Sequence, residues 1–269
     1  MDTNEQLVAA AFTKQSAIFD SLFIGNTIIQ YKRQRVRERV QEYLRPGGHI
    51  LELNSGTGED AVWFAEKGYR VHATDLSTGM QDVLRNKVAV KGLQDSVSTE
   101  CCSFTQLSSL KHRGPYDLVF SNFAGLNCTA ELASVLNSFQ DLLNPGGLAI
   151  LVIMPKFCLW ESALLFKGKF RTAFRRAFSK KGVPARVTGE KFTCWYYNPS
   201  FITRTLRNSF HLLSLEGLCS IVPPSYMEGF PEKHPLIYRY LKKKEDRLKN
   251  KWPGYHLGDY YIISLKKKV

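Results

Sequence analysis

The segment Ile50–Ala61, which reads ILELNSGTGEDA, constrains the fold of this chain more than any other stretch. It begins in a short apolar run, His49–Leu53, that is typical of a buried parallel strand. A loop of small residues with two glycines follows over Asn54–Gly58, and Glu59–Lys67 then has the apolar spacing of a helix packed on a sheet. Glycines let a backbone approach a ligand closely, and the start of a helix offers free N–H groups. Strand, glycine turn and helix together predict a site that cradles a nucleotide.

Two acidic residues sharpen this prediction. Glu52 sits at the end of the first strand, where its carboxylate can meet a cation or a hydroxyl group of a ligand. Asp75 lies in a second apolar-to-polar run, Tyr69–Ser77, 17 residues after Gly58. An acid at the tip of the next strand is well placed to bind both hydroxyl groups of a ribose.

These motifs resemble those of the class I (Rossmann-like) S-adenosylmethionine-dependent methyltransferases. The first motif of that family is an acid, a variable residue and three glycines at alternate positions, which here corresponds to Glu52, Leu53 and then Asn54-Ser55-Gly56-Thr57-Gly58. Asn54 replaces the first glycine, and asparagine tolerates a left-handed backbone better than most residues. The resemblance continues through Tyr116–Asn122, similar to the fourth strand of the family, and Leu143–Met154, similar to the fifth strand with its preceding turn.

The resemblance implies an α/β fold with a doubly wound, mostly parallel seven-stranded sheet whose last strand is antiparallel. An N-terminal helical lid is expected, because Gln6–Leu44 has helical periodicity with a break at Gly25, and a helical cap is expected after the fifth strand. We predict a single domain over residues 1–269. Its parts are a helical lid at 1–45, a cofactor-binding core at 46–154, a basic helical cap at 155–194, and the C-terminal part of the sheet with an added helix at 195–269.

S-adenosylmethionine is the cofactor that the resemblance implies. Asp75 would bind the ribose, and Leu76 and Met80 would sandwich the adenine ring. Ser103 stands where the family commonly has an acid that meets the adenine amino group, and Asn122 is a candidate for the methionine end of the cofactor or for the substrate. The predicted cofactor-binding residues are Glu52, Asn54, Ser55, Gly56, Thr57, Gly58, Asp75, Leu76, Met80, Ser103, Phe104 and Asn122.

Aromatic residues outside this core are the candidates for acceptor binding. Phe19 and Tyr31 lie on the predicted lid, and the run Trp195-Tyr196-Tyr197 precedes Asn198-Pro199-Ser200 in an order that resembles the family's element after the cap. Aromatic walls suit an apolar or ring-bearing acceptor, although each of these residues can equally be core packing. The predicted substrate-binding residues are Tyr31, Trp160, Tyr196 and Tyr197.

Charge is unevenly distributed along the chain. Residues 1–154 hold 14 Lys+Arg and 16 Asp+Glu, whereas residues 155–269 hold 23 Lys+Arg and 8 Asp+Glu, so the net charge of +13 divides into −2 and +15. A basic half points to an anionic partner or surface, or is simply solvated. Within Pro155–Gly182, apolar residues trace one helical face between lysines and arginines. Such a segment caps an active site, lies on an anionic membrane or contacts nucleic acid.

The sequence pattern predicts neither a membrane-spanning segment nor a secretory signal. We expect no integral membrane segment, since the chain has no apolar run of about 18 residues, and no secretory signal, since MDTNEQLVAA lacks an apolar core. The six cysteines show neither a CxxC pair nor a metal-ligand spacing, so we expect reduced thiols, no metal and a cytoplasmic protein, with peripheral contact to a membrane as an addition.

The chemistry leaves several functions open. Methyl transfer from a sulfonium is a single in-line displacement that mainly requires alignment and exclusion of water, and a general base is needed only for a protonated nucleophile. The sequence identifies no such base, so the catalytic residues stay unassigned. A small-molecule or lipid-like acceptor is favoured. The alternatives are an RNA or other nucleic-acid methyltransferase, an NAD(P)-dependent oxidoreductase, since Gly56–Ala61 fits GxGxxA, and a non-enzymatic protein that keeps the fold.

Overall fold

A seven-stranded sheet forms the centre of the computed structural model, which describes residues 3–163, 165, 168, 170, 174–177 and 179–269. The strand order is β3-β2-β1-β4-β5-β9-β8. The first five strands are parallel, and β9 is antiparallel to both of its neighbours. This confirms the predicted doubly wound sheet with an antiparallel last strand. The strands are β1 His49–Leu53, β2 Arg70–Asp75, β3 Val97–Cys101, β4 Tyr116–Ser121, β5 Leu143–Ile153, β8 Phe210–Leu218 and β9 Tyr260–Lys267.

Helices precede and connect these strands. The break at Gly25 is where the sequence predicted it, and Asn26 begins the second helix by accepting hydrogen bonds from the N–H groups of Ile28 and Ile29. The described helices are α1 Thr3–Phe23, α2 Thr27–Tyr43, α3 Glu59–Glu66, α4 Thr78–Val90, α5 Leu132–Leu142, α6 Leu159–Ser162, α7 Pro199–Leu206, α8 Phe230–Lys233, α9 Pro235–Leu248 and α10 Gly254–Leu257.

Two hydrophobic cores lie on opposite faces of the sheet because its central strands are apolar on both sides. Ile50 of β1 packs on one face in a cluster with Val36 of α2 and residues of α3 and α4. Leu51, the next residue, packs on the other face in a cluster with Leu136 of α5 and Ile202 of α7. The helices therefore cover the two faces and leave the carboxyl edge of the sheet to other elements.

Helix α1 covers that carboxyl edge. Its middle lies against α4, where a Cβ added to Gly79 would come within 2.7 Å of Ser16 Oγ. Its first turn is held by Asn4, whose Nδ2 donates to the carbonyl oxygens of Cys128 (2.8 Å) and Thr193 (3.1 Å). The lid predicted at residues 1–45 thus consists of α1 as a roof over the edge and α2 as part of the core beneath it.

A β-hairpin at 183–194 corrects the helical interpretation of 155–194. Its strands are β6 Val183–Val187 and β7 Glu190–Cys194, joined by Thr188 and Gly189 with φ of 46° and 89°. A two-residue turn with both φ values positive matches the twist of an antiparallel pair. The alternation of VPARV and EKFTC around Thr-Gly carried this signal, and the helical assignment overlooked it.

The rest of the predicted cap is described only in part. Leu164, Phe166 and Phe178 of the predicted apolar stripe, and Lys167, Lys169 and Arg171 of its basic side, lie outside the described residues. The described part contains α6 and a short 3-10 turn at Ser179–Lys181. Arg176 in this segment is buried, with its guanidinium on Glu161 (2.6 Å) and Asp259 (2.8 Å). Part of the basic charge here is therefore internal rather than displayed.

Two further observations complete the fold. The turn that the sequence predicts before the fifth strand, at residues 144–147, is an irregular start of β5, which pairs with β4 at Leu143 and again at Leu148.

In the described part of the chain, no single helix is long and apolar enough to cross a membrane. Helices α1 and α2 reach that length and apolar composition only when they are taken together, and they are bent by 98° relative to each other.

Candidate functional site

A cavity of about 450 Å³ opens at the carboxyl ends of β1, β2 and β4, beneath α1 and β7. Carboxyl ends of parallel strands are where ligands bind in open α/β sheets. Every residue predicted to bind the cofactor lines this cavity except Gly58. The lining set includes Glu52, Asn54, Ser55, Gly56, Thr57, Asp75, Leu76, Met80, Ser103, Phe104 and Asn122.

The two glycines of the loop have different roles. Gly56 has φ of 55°, and a Cβ added there would meet nothing within 4 Å, so its backbone is open to the cavity. Gly58 has φ of 78° and begins α3, and an added Cβ would lie 2.0 Å from Cδ1 of Leu84. Gly58 is therefore required for packing of α3 on α4, whereas Gly56 leaves open space at the cavity and is required for its left-handed backbone.

Asn54 occupies the position where the resembled family has glycine, and it adopts the left-handed backbone with φ of 48°. Its side chain is fully engaged: Nδ2 donates to the carbonyl oxygen of Asn122 (3.0 Å), and Oδ1 accepts from Ser121 Oγ (2.7 Å). The amide also fills the space above Gly125, where an added Cβ would come within 2.2 Å of it. Asparagine thus keeps the turn and ties the loop to the end of β4.

Asp75 supports the glycine loop from the tip of β2. Its Oδ2 accepts a hydrogen bond from the Gly56 N–H (2.9 Å), and its Oδ1 accepts one from the Ser77 N–H (2.8 Å). Burial raises the pKa of Asp75, and these N–H groups counteract part of that increase. The carboxylate that was predicted to bind a ribose therefore also fixes the loop next to it.

The charged lining residues of the cavity include Glu52, Asp60 and Arg33, and Arg37 contacts Asp60 from outside the lining. Asp60 accepts hydrogen bonds from Arg33 Nη1, Arg37 Nε and Asn122 Nδ2, each at 2.8 Å. Burial alone would raise the pKa of Asp60, but the two guanidinium groups outweigh it and lower that pKa. For Glu52, burial and then the charge of Asp60 raise the pKa well above its usual value.

Glu52 differs from Asp60 in its hydrogen bonding. It is 3% exposed, and its Oε2 has no hydrogen-bond partner among the described residues. A buried carboxylate oxygen without a donor is costly, so such an atom in a cavity indicates a place where a ligand supplies the donor.

The sequence interpretation missed several lining residues. Arg33 reaches the cavity and stacks on the ring of Phe123 at 4.9 Å, and Asp60 sits directly below it. The signals were present, since Arg33 and Arg37 are one helical turn apart and Asp60 begins a helix, but their partners are remote in sequence. No sequence pattern around Glu5, on helix α1, indicates that this residue lines the cavity.

None of the four predicted substrate-binding residues lines the cavity. The Tyr31 hydroxyl donates to Glu245 Oε1 (3.1 Å), and the Tyr197 hydroxyl donates to the carbonyl oxygen of Thr129 (2.6 Å). Tyr196 lies under the guanidinium of Arg176 at 5.1 Å, and Trp160 is half-buried on α6. The aromatic residues that do line the cavity are Phe12, Phe19, Phe23, Phe104, Phe123, Phe192 and Tyr260.

No group of three or more His, Cys, Asp or Glu residues in the described ranges is arranged to hold a metal ion. The cysteines at 101, 102, 128, 158, 194 and 219 are all free thiols.

Comparison with known proteins points to one family. The family described as "Methyltransferase domain" matches residues 50–147. A demethylmenaquinone methyltransferase from Symbiobacterium thermophilum is 28% identical over 150 residues, which are 54% of this chain and 58% of that protein. A tRNA 5-carboxymethoxyuridine methyltransferase from Escherichia coli is 31% identical over 103 residues, which are 38% of this chain and 39% of that protein. The chain therefore matches these relatives over less than two thirds of their length.

Solved structures share the whole architecture. The crystal structure of the [4+2]-cyclase SpnF superposes with a TM-score of 0.64 at 16% identity, covering 99% of this chain and 97% of that one. Likeness at this identity concerns the fold alone, and the name of this neighbour is that of a cyclase. The family match over residues 50–147 and the strand order agree with each other, and both support a class I S-adenosylmethionine-dependent methyltransferase.

Proposed function

We propose that this protein transfers a methyl group from S-adenosylmethionine to a small, mainly apolar or lipid-like acceptor. The observation that carries the proposal is the lining of the cavity beyond the glycine loop. The apolar lining residues include Phe19, Phe23, Ile29, Phe123 and Tyr260, and the Arg33 guanidinium stacks on the Phe123 ring. Predominantly apolar walls with few polar groups are typical of sites for small organic ligands.

The polar groups that line the cavity suit S-adenosylmethionine as the cofactor. Glu5 Oε1 and Glu52 Oε2 are buried acceptors without donors in the described residues. The backbone at Gly56 is open, and its N–H donates to the carboxylate of Asp75. Asp75 would bind the ribose, and Arg33, Asn54 and the N–H groups of the glycine loop, which line the same cavity, would bind the amino-acid end. When bound, S-adenosylmethionine supplies a methyl group activated by its sulfonium charge.

The residues of the chain would contribute alignment and exclusion of water rather than a base. Among the described residues, no histidine lines the cavity, and burial raises the pKa of Tyr260 to about 12. The roof helix and the aromatic wall remove the reacting groups from solvent. An acceptor whose nucleophilic atom carries a free electron pair, or loses its proton readily, suits this arrangement.

Contact with an anionic membrane is a finer part of the proposal and concerns α9. Leu236 and Tyr240 are 71% and 58% exposed, and Lys243 follows at the next helical spacing on the same side. Apolar and basic side chains on one helix surface suit the interface of an anionic bilayer. A lipid-like acceptor would reach the protein from such a surface.

The acceptor class is tested by labelling. Purified protein is incubated with methyl-labelled S-adenosylmethionine and with extracts separated into solvent-extractable, RNA and protein fractions, and Asp75→Ala serves as the cofactor-deficient control. We expect label in the solvent-extractable fraction with the wild type only. Label in RNA would replace the proposal with the nucleic-acid alternative. Tight cofactor binding without labelled product from any fraction would favour a protein that keeps the fold but catalyses no methyl transfer.

A further inference from the structure

Glu5, in the first turn of α1, is like Glu52 a buried acid of the cavity. It is 3% exposed and lines the cavity. Its Oε2 accepts hydrogen bonds from Ser103 Oγ (2.5 Å) and Thr105 Oγ1 (3.0 Å). Its Oε1 is buried and has no hydrogen-bond partner among the described residues.

The surroundings of Glu5 indicate what kind of donor belongs there. Leu76 and Met80, from the segment after β2, line the same cavity. Phe104 also lines it and lies in the chain between Ser103 and Thr105, the two residues that hydrogen-bond to Glu5. Apolar side chains around a single anionic acceptor suit a flat, largely apolar group that carries an N–H donor at its edge. An acid that only stabilised the helix start would lie in solvent, whereas this one is removed from it.

Ser103 is not available for that role, although it stands where the family commonly has an acid. Its hydroxyl donates its proton to Glu5, and its oxygen accepts from the N–H of Thr105 (3.0 Å). The serine therefore orients the Glu5 carboxylate, and the acid at this point of the site comes from a segment 98 residues away in sequence.

We propose that Oε1 of Glu5 accepts a hydrogen bond from the exocyclic amino group of the cofactor's adenine, so that the roof helix itself reads the base. This inference rests on the proposed placement of the cofactor in the cavity. The same helix contacts the glycine loop at its other end, where Thr57 Oγ1 donates to Asp20 Oδ1 (2.6 Å). The base and the loop are thus connected through α1.

The test compares two ligands by calorimetry: S-adenosylhomocysteine and its inosine counterpart, in which an oxo group replaces the amino group. Wild-type protein should bind the adenine ligand at least about tenfold more tightly, since a carboxylate facing an oxo group loses its charged hydrogen bond. Glu5→Gln should weaken the adenine ligand about tenfold and narrow that ratio, because its amide can donate to the oxo group.

The controls separate this proposal from the assignment of the cofactor. Asp75→Ala should weaken both ligands and leave their ratio unchanged, because it acts away from the base. Equal affinities in the wild type, or an unchanged ratio in Glu5→Gln, would overturn the role of Glu5 while the cofactor assignment stands. If neither ligand binds the wild type, the placement of the cofactor itself is wrong. Because equal affinities in the wild type would by themselves overturn the role of Glu5, the proposal can still be refuted if Glu5→Gln fails to fold.

Discussion

Replacing Glu52 by glutamine should make this protein more stable at neutral pH while weakening its cofactor site. Glu52 is buried, one of its carboxylate oxygens has no donor in the described residues, and burial together with Asp60 raises its pKa. An unsatisfied buried group of this kind costs about 1–3 kcal/mol. Arg33 and Arg37 offset part of that cost. We therefore expect Glu52→Gln to gain about 1–2 kcal/mol in the free energy of unfolding.

The stability difference between Glu52→Gln and the wild type should increase as the pH rises. Because the folded-state pKa of Glu52 lies above its ordinary value of 4.5, the folded protein holds a proton that the unfolded chain releases as the pH rises from that value. The wild type loses stability until the pH passes the folded-state pKa. Glu52→Gln has no such proton, so its advantage should vanish near pH 4.5 and be complete above the raised pKa.

Urea denaturation at a series of pH values measures the difference. Glu66→Gln is the matched control, since Glu66 is half-exposed in a surface pair with Lys91 and such pairs contribute little. The reasoning fails if Glu52→Gln is less stable than the wild type at pH 8, or if the difference between them does not change with pH. Weaker binding of S-adenosylhomocysteine by Glu52→Gln would show that Glu52 contributes to ligand binding, even though its burial lowers the stability of the fold.

Three further outcomes can be measured. Asp75→Ala should lower the affinity for S-adenosylhomocysteine at least about tenfold in calorimetry, since a charged hydrogen-bond acceptor is lost; unchanged affinity would remove Asp75 from the cofactor site. Gly58→Ala should destabilise the fold by about 2–4 kcal/mol, because the added Cβ meets a core leucine at 2.0 Å. Gly56→Ala should lower stability by only about 1–2 kcal/mol and should act mainly on ligand binding, because an added Cβ meets nothing there. Equal losses of stability in the two variants would contradict these roles. Leu236→Asp should reduce sedimentation with phosphatidylserine vesicles and leave neutral vesicles unaffected; the same sedimentation as the wild type would exclude α9 as the contact.

The sheet and the glycine loop were predictable because their signals are local. Apolar runs, turn residues and the interval from Gly58 to Asp75 are all properties of short segments. The parallel order then follows from the alternation of strands and helices. The placement of eleven predicted residues around one cavity is a consequence of this topology, which brings the ends of β1, β2 and β4 to one edge.

The roof and the acceptor side were not predictable in the same way. Glu5 meets Ser103 across 98 residues, and nothing near Glu5 in sequence indicates that contact. Residues 195–197 are three consecutive aromatic residues, so their sequence shows no periodicity that predicts which side chain faces a cavity. In the structure Tyr197 joins the core beneath α7, and hairpin residue Phe192 lines the cavity instead. Long-range packing decided these positions.

The attachment of α1 at both ends has a kinetic consequence. Asp20 holds one end to Thr57, and Asn4 holds the other end to the hairpin at Thr193. Movement of α1 away from the cavity requires one of these attachments to break. If the spent cofactor leaves past this helix, its departure should be slower than the displacement that precedes it. The first turnover would then appear as a rapid burst, and the steady rate that follows would report how often the helix lifts.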